Sequence, residues 1–410
     1  MSEPRHPPSP YFPVVGDELV VGGIGLTELA RRVGSTPFFA YDRRVLDARI
    51  AELTEALPRE IKLHYAIKAN PLPAVVAHMA ARVDGLDVAS RRELDVALAA
   101  GMRPLDVSFA GPGKGEDELA HAVRAGVLVN VESFRELRLL EAIAASAGMR
   151  ARVAVRVNPD FELKSSGMKM GGGPRQFGID AEAVPQALAE IAARGLDFEG
   201  FHIFSGSQNL RPEAICEAHA KAYELAVRLA AHAPSPVLRL NLGGGLGIPY
   251  FPGERALDLG PVAQNLASIV QRAAQALPGA ELIIELGRYL VGEAGIYVCK
   301  VLDRKVSRGQ VFLVTDGGLH HHLAASGNFG QVIRKNYPVA IGNRVAGGQR
   351  EIASVVGRLC TPLDLLADRM DLARAEEGDL VVVFQSGAYG RSASPADFLS
   401  HAPADETLIG

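Results

Sequence analysis

From about residue 44 to 290, apolar β-rich runs alternate with alanine-rich stretches whose apolar residues recur at spacings of three and four. That alternation predicts repeated βα units on a parallel sheet. Eight runs read as strands, at 62–69, 85–90, 106–111, 127–133, 152–159, 200–207, 237–244 and 282–288. The segments 91–100 and 211–233 carry helical spacing and read as outer helices. Eight strands over roughly 240 residues have the size of a (β/α)8 TIM barrel, whose active site sits at the C-terminal ends of its strands; a doubly wound open sheet is the alternative.

After residue 290 the pattern changes to shorter β-type runs at 295–306, 311–318, 350–359 and 379–387. These predict a separate C-terminal β domain, a small barrel or sandwich. Thr36–Asp42 also reads as a strand and is expected to complete that domain. The expected division is an N-terminal arm and strand at 1–43, a barrel at 44–290 and the β domain at 291–410.

Composition narrows the function classes. Apolar residues make up 48% of the 410 and charged residues 22%, the balance of a globular chain with a sizeable core. The 43 basic and 47 acidic residues are interspersed, so no basic stripe points to nucleic acid or to an anionic membrane surface. Three widely spaced cysteines, Cys216, Cys299 and Cys360, form neither a disulfide framework nor a zinc pattern and suit a reducing cytoplasm. The proline-rich start lacks the apolar stretch of a signal peptide, and no run approaches a membrane span; a loose N-terminal arm is expected.

Four segments carry candidate chemistry. Lys68 follows the apolar run Leu63–Ile67 at a strand's C-terminal end, where a partly desolvated amine can form an imine; a solvated strand terminator is the plainer reading. Asn241–Gly247 (Asn-Leu-Gly-Gly-Gly-Leu-Gly) opens a strand into a turn whose backbone N–H groups can cradle a phosphate. Pro249-Tyr-Phe-Pro252 follows, where a dinucleotide-binding unit needs a helix, and a tight structural turn is the alternative. Glu285-Leu-Gly-Arg288 places a carboxylate able to protonate a pyridine nitrogen near a guanidinium suited to an anion, or else forms a structural ion pair. Cys360, before Thr361-Pro362, could donate a proton to a carbanion, or be a small buried hydrophobe.

In this order, the segments resemble the fold-type III pyridoxal 5′-phosphate (PLP) decarboxylases, the family of ornithine, diaminopimelate and arginine decarboxylases whose barrel is shared with alanine racemase. The matching pieces are Tyr-Ala-Ile-Lys-Ala-Asn-Pro (65–71), Leu-Asp-Val-Ala-Ser (86–90), Gly-Ser-Gln (206–208), Gly-Gly-Gly (243–245), Glu-x-Gly-Arg (285–288), Cys-x-x-x-Asp (360–364) and Gly-Ala-Tyr (387–389). They cover nearly the whole chain.

The resemblance implies that Lys68 holds PLP through its amine, that Glu285 pairs with the pyridine nitrogen, and that Asp87 and Arg156 lie beside Lys68. It assigns the phosphate to Ser207, Gly243, Gly244, Gly245, Gly287, Arg288 and Tyr389. It implies a homodimer with shared active sites, in which Cys360 of one subunit serves the substrate of the other, and it puts Arg288, Thr361, Asp364 and His320 near the substrate.

Two positions are read as departures from the family. Phe204 stands where the family's ring-stacking histidine is expected, with His202 read as a core histidine. Thr361 stands where ornithine and diaminopimelate decarboxylases carry an acidic residue, so free ornithine, lysine and meso-diaminopimelate are expected to be poor substrates. The blocks 202–210, 319–330 and 360–364 resemble most a biosynthetic subgroup containing exosortase-associated decarboxylases and the butirosin-type decarboxylase, which acts on glutamate held on an acyl-carrier protein. The implied reaction is decarboxylation of an amino acid, free or carrier-linked.

Rival readings are diaminopimelate decarboxylase proper, a racemase on the same barrel, which Glu285 disfavours, and a non-catalytic homologue, which the pairing of Lys68 with Cys360 disfavours. His320, His321 and His322 cannot converge on one ion from a regular element, so no metal is expected; one of them lines the substrate pocket or all lie on a surface loop. The glycine-rich basic segment 164–175 reads as a mobile loop over the barrel mouth.

Overall fold

A computed structural model describes residues 6, 9–162, 168–169, 171–331 and 333–410. The chain divides into two compact units, one of residues 50–248 and 256–289, the other of 1–49, 249–255 and 290–410.

The first unit is a closed parallel barrel. Its strands are β1 (Ile61–Ala66), β2 (Gly85–Val88), β3 (Val107–Phe109), β4 (Leu128–Val131), β5 (Arg152–Asn158), β6 (Asp197–His202), β7 (Arg239–Asn241) and β8 (Glu281–Leu286). Each pairs in parallel with its neighbours, and β8 returns to β1 through Leu282↔Ile61, which excludes the open-sheet alternative.

Side chains alternate along these strands with a period of two. Leu86 and Val88, Val107 and Phe109, and Val129 and Val131 are buried on one face. Asp87, Ser108 and Asn130 occupy the intervening positions and bond across strands: Ser108 Oγ donates to Asp87 at 2.6 Å and Asn130 Nδ2 to Ser108 at 3.0 Å. His202 and Glu285, near the ends of β6 and β8, also meet through their side chains. Buried polar groups are stable only when paired, so the layer is cross-linked wherever no ligand is needed.

The helices start where the sequence supplies caps. Ser90 accepts from the Glu93 N–H while Glu93 accepts from the Ala89 N–H, which starts the helix Arg91–Ala99 and turns Leu94 and Ala97 into the core. Ser133 caps Phe134–Ala147 in the same way.

The second unit is built on an eight-stranded mixed sheet. Gly295–Ser307 is its central strand, pairing with Gln310–Thr315, with Leu380–Val383 and with Phe38–Asp42. The N-terminal strand therefore completes the C-terminal β domain, as its apolar run predicts. Asp405–Ile409 adds a parallel strand beside Phe38–Asp42, and Arg350–Val356 pairs with Leu365–Ala373 at the other end. Among the described residues no helix is long and apolar enough to cross a membrane.

Candidate active site

Lys68 lies in the single 3-10 turn Ile67–Ala69 that ends β1. Tyr65 Oη donates to Asn70 O at 2.8 Å, and Asn70 Oδ1 accepts from the Leu72 N–H at 3.1 Å, so the turn is bolted on both sides. The lysine side chain is 46% exposed, while its neighbour Glu285 is 5% exposed. Their charged atoms lie 3.5 Å apart. On the other side of Glu285, His202 Nε2 is 3.0 Å from Oε2. Burial opposes a charge on Glu285, but Lys68, His202 and Arg156 together hold its carboxyl well below the usual carboxylate range. A buried anion thus stands beside a reachable amine.

His202 is therefore more than the core residue its sequence suggests: it is buried and also touches the carboxylate that defines the site. Its signal was its place as the last residue of β6, in register with Arg156 and Asn241. Phe204 lies beyond that strand end, with its ring centroid 5.8 Å from Lys68 Nζ. Arg156 is buried, donating from Nη1 to Glu132 at 2.7 Å and packing over Phe177. Asp87 is tied through Oδ1 to Ser108 and His64, while its buried Oδ2 has no hydrogen-bond partner.

The turn after β7 comes within reach of the same carboxylate strand. Gly243 and Gly245 have φ of +73° and +85°, and Asn241 Oδ1 accepts the Gly243 N–H at 2.8 Å. A Cβ on Gly244 would lie 2.1 Å from Glu285 O. Only glycine lets this turn sit against β8 with no side chain between them. Beneath it is a cleft lined by Ser205, Gly206, Asn209, His219, Gly244 and Gly245. Ser205 Oγ is buried there without a hydrogen-bond partner. Ser207, the serine the resemblance assigns to phosphate, instead belongs to a short ribbon with Met168–Lys169 and is not among the residues lining the cleft. Within the glycine-rich segment 164–175, residues 164–167 and 170 lie outside the described residues. Gly287 packs against Ala69, and Arg288 opens the short helix Arg288–Val291.

The remaining candidates belong to the second unit. Cys360 is exposed on the loop after Arg350–Val356. Thr361 Oγ1 accepts from the Leu363 N–H at 3.3 Å. Asp364 is buried and accepts the Leu319 and Leu359 N–H groups at 2.6 and 2.9 Å, so both oxygens brace the Cys360 loop. Burial pushes its carboxyl up, and these two amides resist that. Tyr389 adopts φ of +53° and its ring meets Phe329 at 6.3 Å.

The surface-loop reading of the three histidines is overturned, since each is at most 1% exposed. His321 bonds to Tyr297 and Ala402, and His322 to Ser386. His320 stacks on His321 at 3.7 Å with neither ring nitrogen bonded. Packed side chains and backbone, not solvent, surround them.

A barrel with a reachable lysine beside a buried carboxylate, a bare glycine turn and unpartnered Ser205 and Asp87 oxygens fits a cofactor with a carbonyl, a basic ring nitrogen and a phosphate. Residues 43–292 match the model of the pyridoxal-dependent decarboxylases, pyridoxal binding domain. The chain belongs to this family of PLP-dependent decarboxylases, and it is a PLP-dependent carboxy-lyase of amino acids. It is 39% identical over 93% of its length, and 90% of the relative's, to L-glutamyl-[BtrI acyl-carrier protein] decarboxylase of Niallia circulans. It is 32% identical, over 93% of this chain and 88% of the relative, to diaminopimelate decarboxylase of Aquifex aeolicus. A solved diaminopimelate decarboxylase from M. jannaschi superposes with a TM-score of 0.88, covering 98% of this chain and 93% of that one, at 25% identity.

Proposed function

We propose that the protein removes the α-carboxylate of an L-glutamate-type amino acid carried as a thioester on an acyl-carrier protein, working as a homodimer. The observation that carries this is the 39% identity, along nearly the full length of both chains, to a decarboxylase of that substrate. Thr361 supports it: a hydroxyl there, rather than a carboxylate, offers no counter-charge to the distal ammonium of ornithine, lysine or diaminopimelate.

PLP, when bound, supplies the electron sink that lets the α-carboxylate leave as CO2. Lys68 Nζ would hold PLP through its carbonyl carbon. Glu285, held anionic, keeps a proton on the ring nitrogen. Asp87 and Arg156 would lie beside the cofactor, and Phe204, whose ring centroid is 5.8 Å from Lys68 Nζ, would pack against it. Gly243, Gly244, Gly245, Ser205, Ser207, Gly287, Arg288 and Tyr389 bind the phosphate. Cys360 Sγ holds the proton that passes to the α-carbon after CO2 has left. Arg288, Thr361 and His320 shape the substrate pocket, and Asp364 sets the loop that presents Cys360.

The test is CO2 release from L-glutamate loaded on an acyl-carrier protein, measured beside free L-glutamate, L-ornithine, L-lysine and meso-diaminopimelate. Preference for the carrier-linked substrate is expected. Efficient turnover of meso-diaminopimelate would establish the diaminopimelate decarboxylase reading instead.

A further inference from the structure

Four charged side chains lie buried around the C-terminal ends of β3, β4 and β5: Lys114, Glu136, Glu132 and Arg156. Lys114, on the loop after β3, donates to Gly111 O at 2.8 Å and to the two Glu136 oxygens at 3.2 and 3.0 Å. Its three protons are thereby all placed. Glu136 Oε2 accepts the Glu132 N–H at 2.8 Å. Glu132 in turn accepts Arg156 Nη1 and the Gly111 N–H on Oε1, and the Gly178 N–H on Oε2. Gly111 closes the circuit, since its carbonyl is held by Lys114 and its amide holds Glu132.

Arg156 is the end of this chain that reaches the site. It is the register partner of His202, which touches Glu285. Burial pushes the Lys114 ammonium down, and Glu136 and Glu132 resist it. A brace of the loop alone would be served as well by apolar packing, which avoids desolvating a lysine.

We infer that Lys114 is a positioning residue for Arg156: by clamping Gly111 and Glu136 it fixes the Glu132 carboxylate, and through it the guanidinium that faces the cofactor site. This rests on the reading that Arg156 and Glu285 serve PLP. Loosening Arg156 withdraws positive charge from the site, so groups there hold their protons to higher pH.

The experiment compares PLP-loaded full-length wild type with Lys114→Met/Glu136→Gln, which removes both charges and leaves no unpaired one. The readouts are PLP dissociation by dialysis and the pH midpoint of the cofactor's visible band. Expected are a midpoint raised by roughly half a unit or more, weaker PLP retention, and recovery toward wild type in Lys114→Arg. A midpoint and retention equal to wild type would overturn the inference. If the double variant does not fold, Glu136→Gln alone decides, since the buried lysine beside it can shed its proton: the midpoint rises, or the inference fails. Wild type that retains no PLP would instead overturn the cofactor reading of the site.

Discussion

Replacing Glu285 with glutamine keeps the shape of the side chain and removes its charge, and the structure sets two effects in opposite directions. Glu285 stands 3.5 Å from Lys68 Nζ. At an effective dielectric of about 20 that pair is worth about 5 kcal/mol, and water around the half-exposed lysine leaves about 1–2 kcal/mol of it. Losing the anion therefore eases deprotonation of Lys68, so PLP loading is preserved. The ring nitrogen, however, loses the group that keeps it protonated, and turnover should fall by about a hundredfold or more. The assay pairs cofactor content, read from the visible band of dialysed protein, with kcat for CO2 release. Full loading with kcat reduced is the expected result. Wild-type kcat in a fully loaded Glu285→Gln protein would refute the assignment of Glu285 to the ring nitrogen.

Gly244→Ala puts a Cβ 2.1 Å from Glu285 O, so the turn must retreat by about 1 Å; a loss of about 1–3 kcal/mol in urea unfolding and at least tenfold weaker PLP retention are expected. Mixing inactive Lys68→Ala and Cys360→Ala proteins should restore measurable activity if the two residues act across a dimer, and no activity from a verified mixed dimer would sink the shared site. His322 is held neutral because burial lowers its imidazole from 6.5 to about 3. With its folded value depressed, the unfolded chain takes the proton first as pH falls below 6.5, so stability declines from there down to about 3. His322→Phe should reduce the stability lost between neutral pH and about pH 5 by about 2 kcal/mol, checked by urea titrations at both; an unchanged loss would contradict the buried placement.

The barrel was legible because each strand is a short apolar run followed by a helix with threefold and fourfold spacing. The strand Leu365–Ala373 left no such mark. Its pairing with Arg350–Val356 slips in register near Val355, and Arg369 takes φ of +44°, so the buried residues do not alternate cleanly. That Lys68, Glu285 and the glycine turn stand at strand ends was legible from the apolar runs before them, and the structure brings them together. Ser205 lines the cleft and Ser207 does not, a difference that the Gly-Ser-Gln pattern does not show. The role of His202 was hidden because strand alternation says which face a residue takes, not how near it comes to a side chain two strands away. Nothing in the Gly-Pro-Gly-Lys-Gly loop marks Lys114 as buried; its burial is decided by Glu136, which comes from the following βα unit.

The most direct test of the account is borohydride reduction of the purified protein, followed by absorbance and peptide mapping. A visible cofactor band that reduction abolishes is expected, with the reduced pyridoxyl group on Lys68. Modification of another lysine, or no bound PLP even after PLP is added, would contradict it.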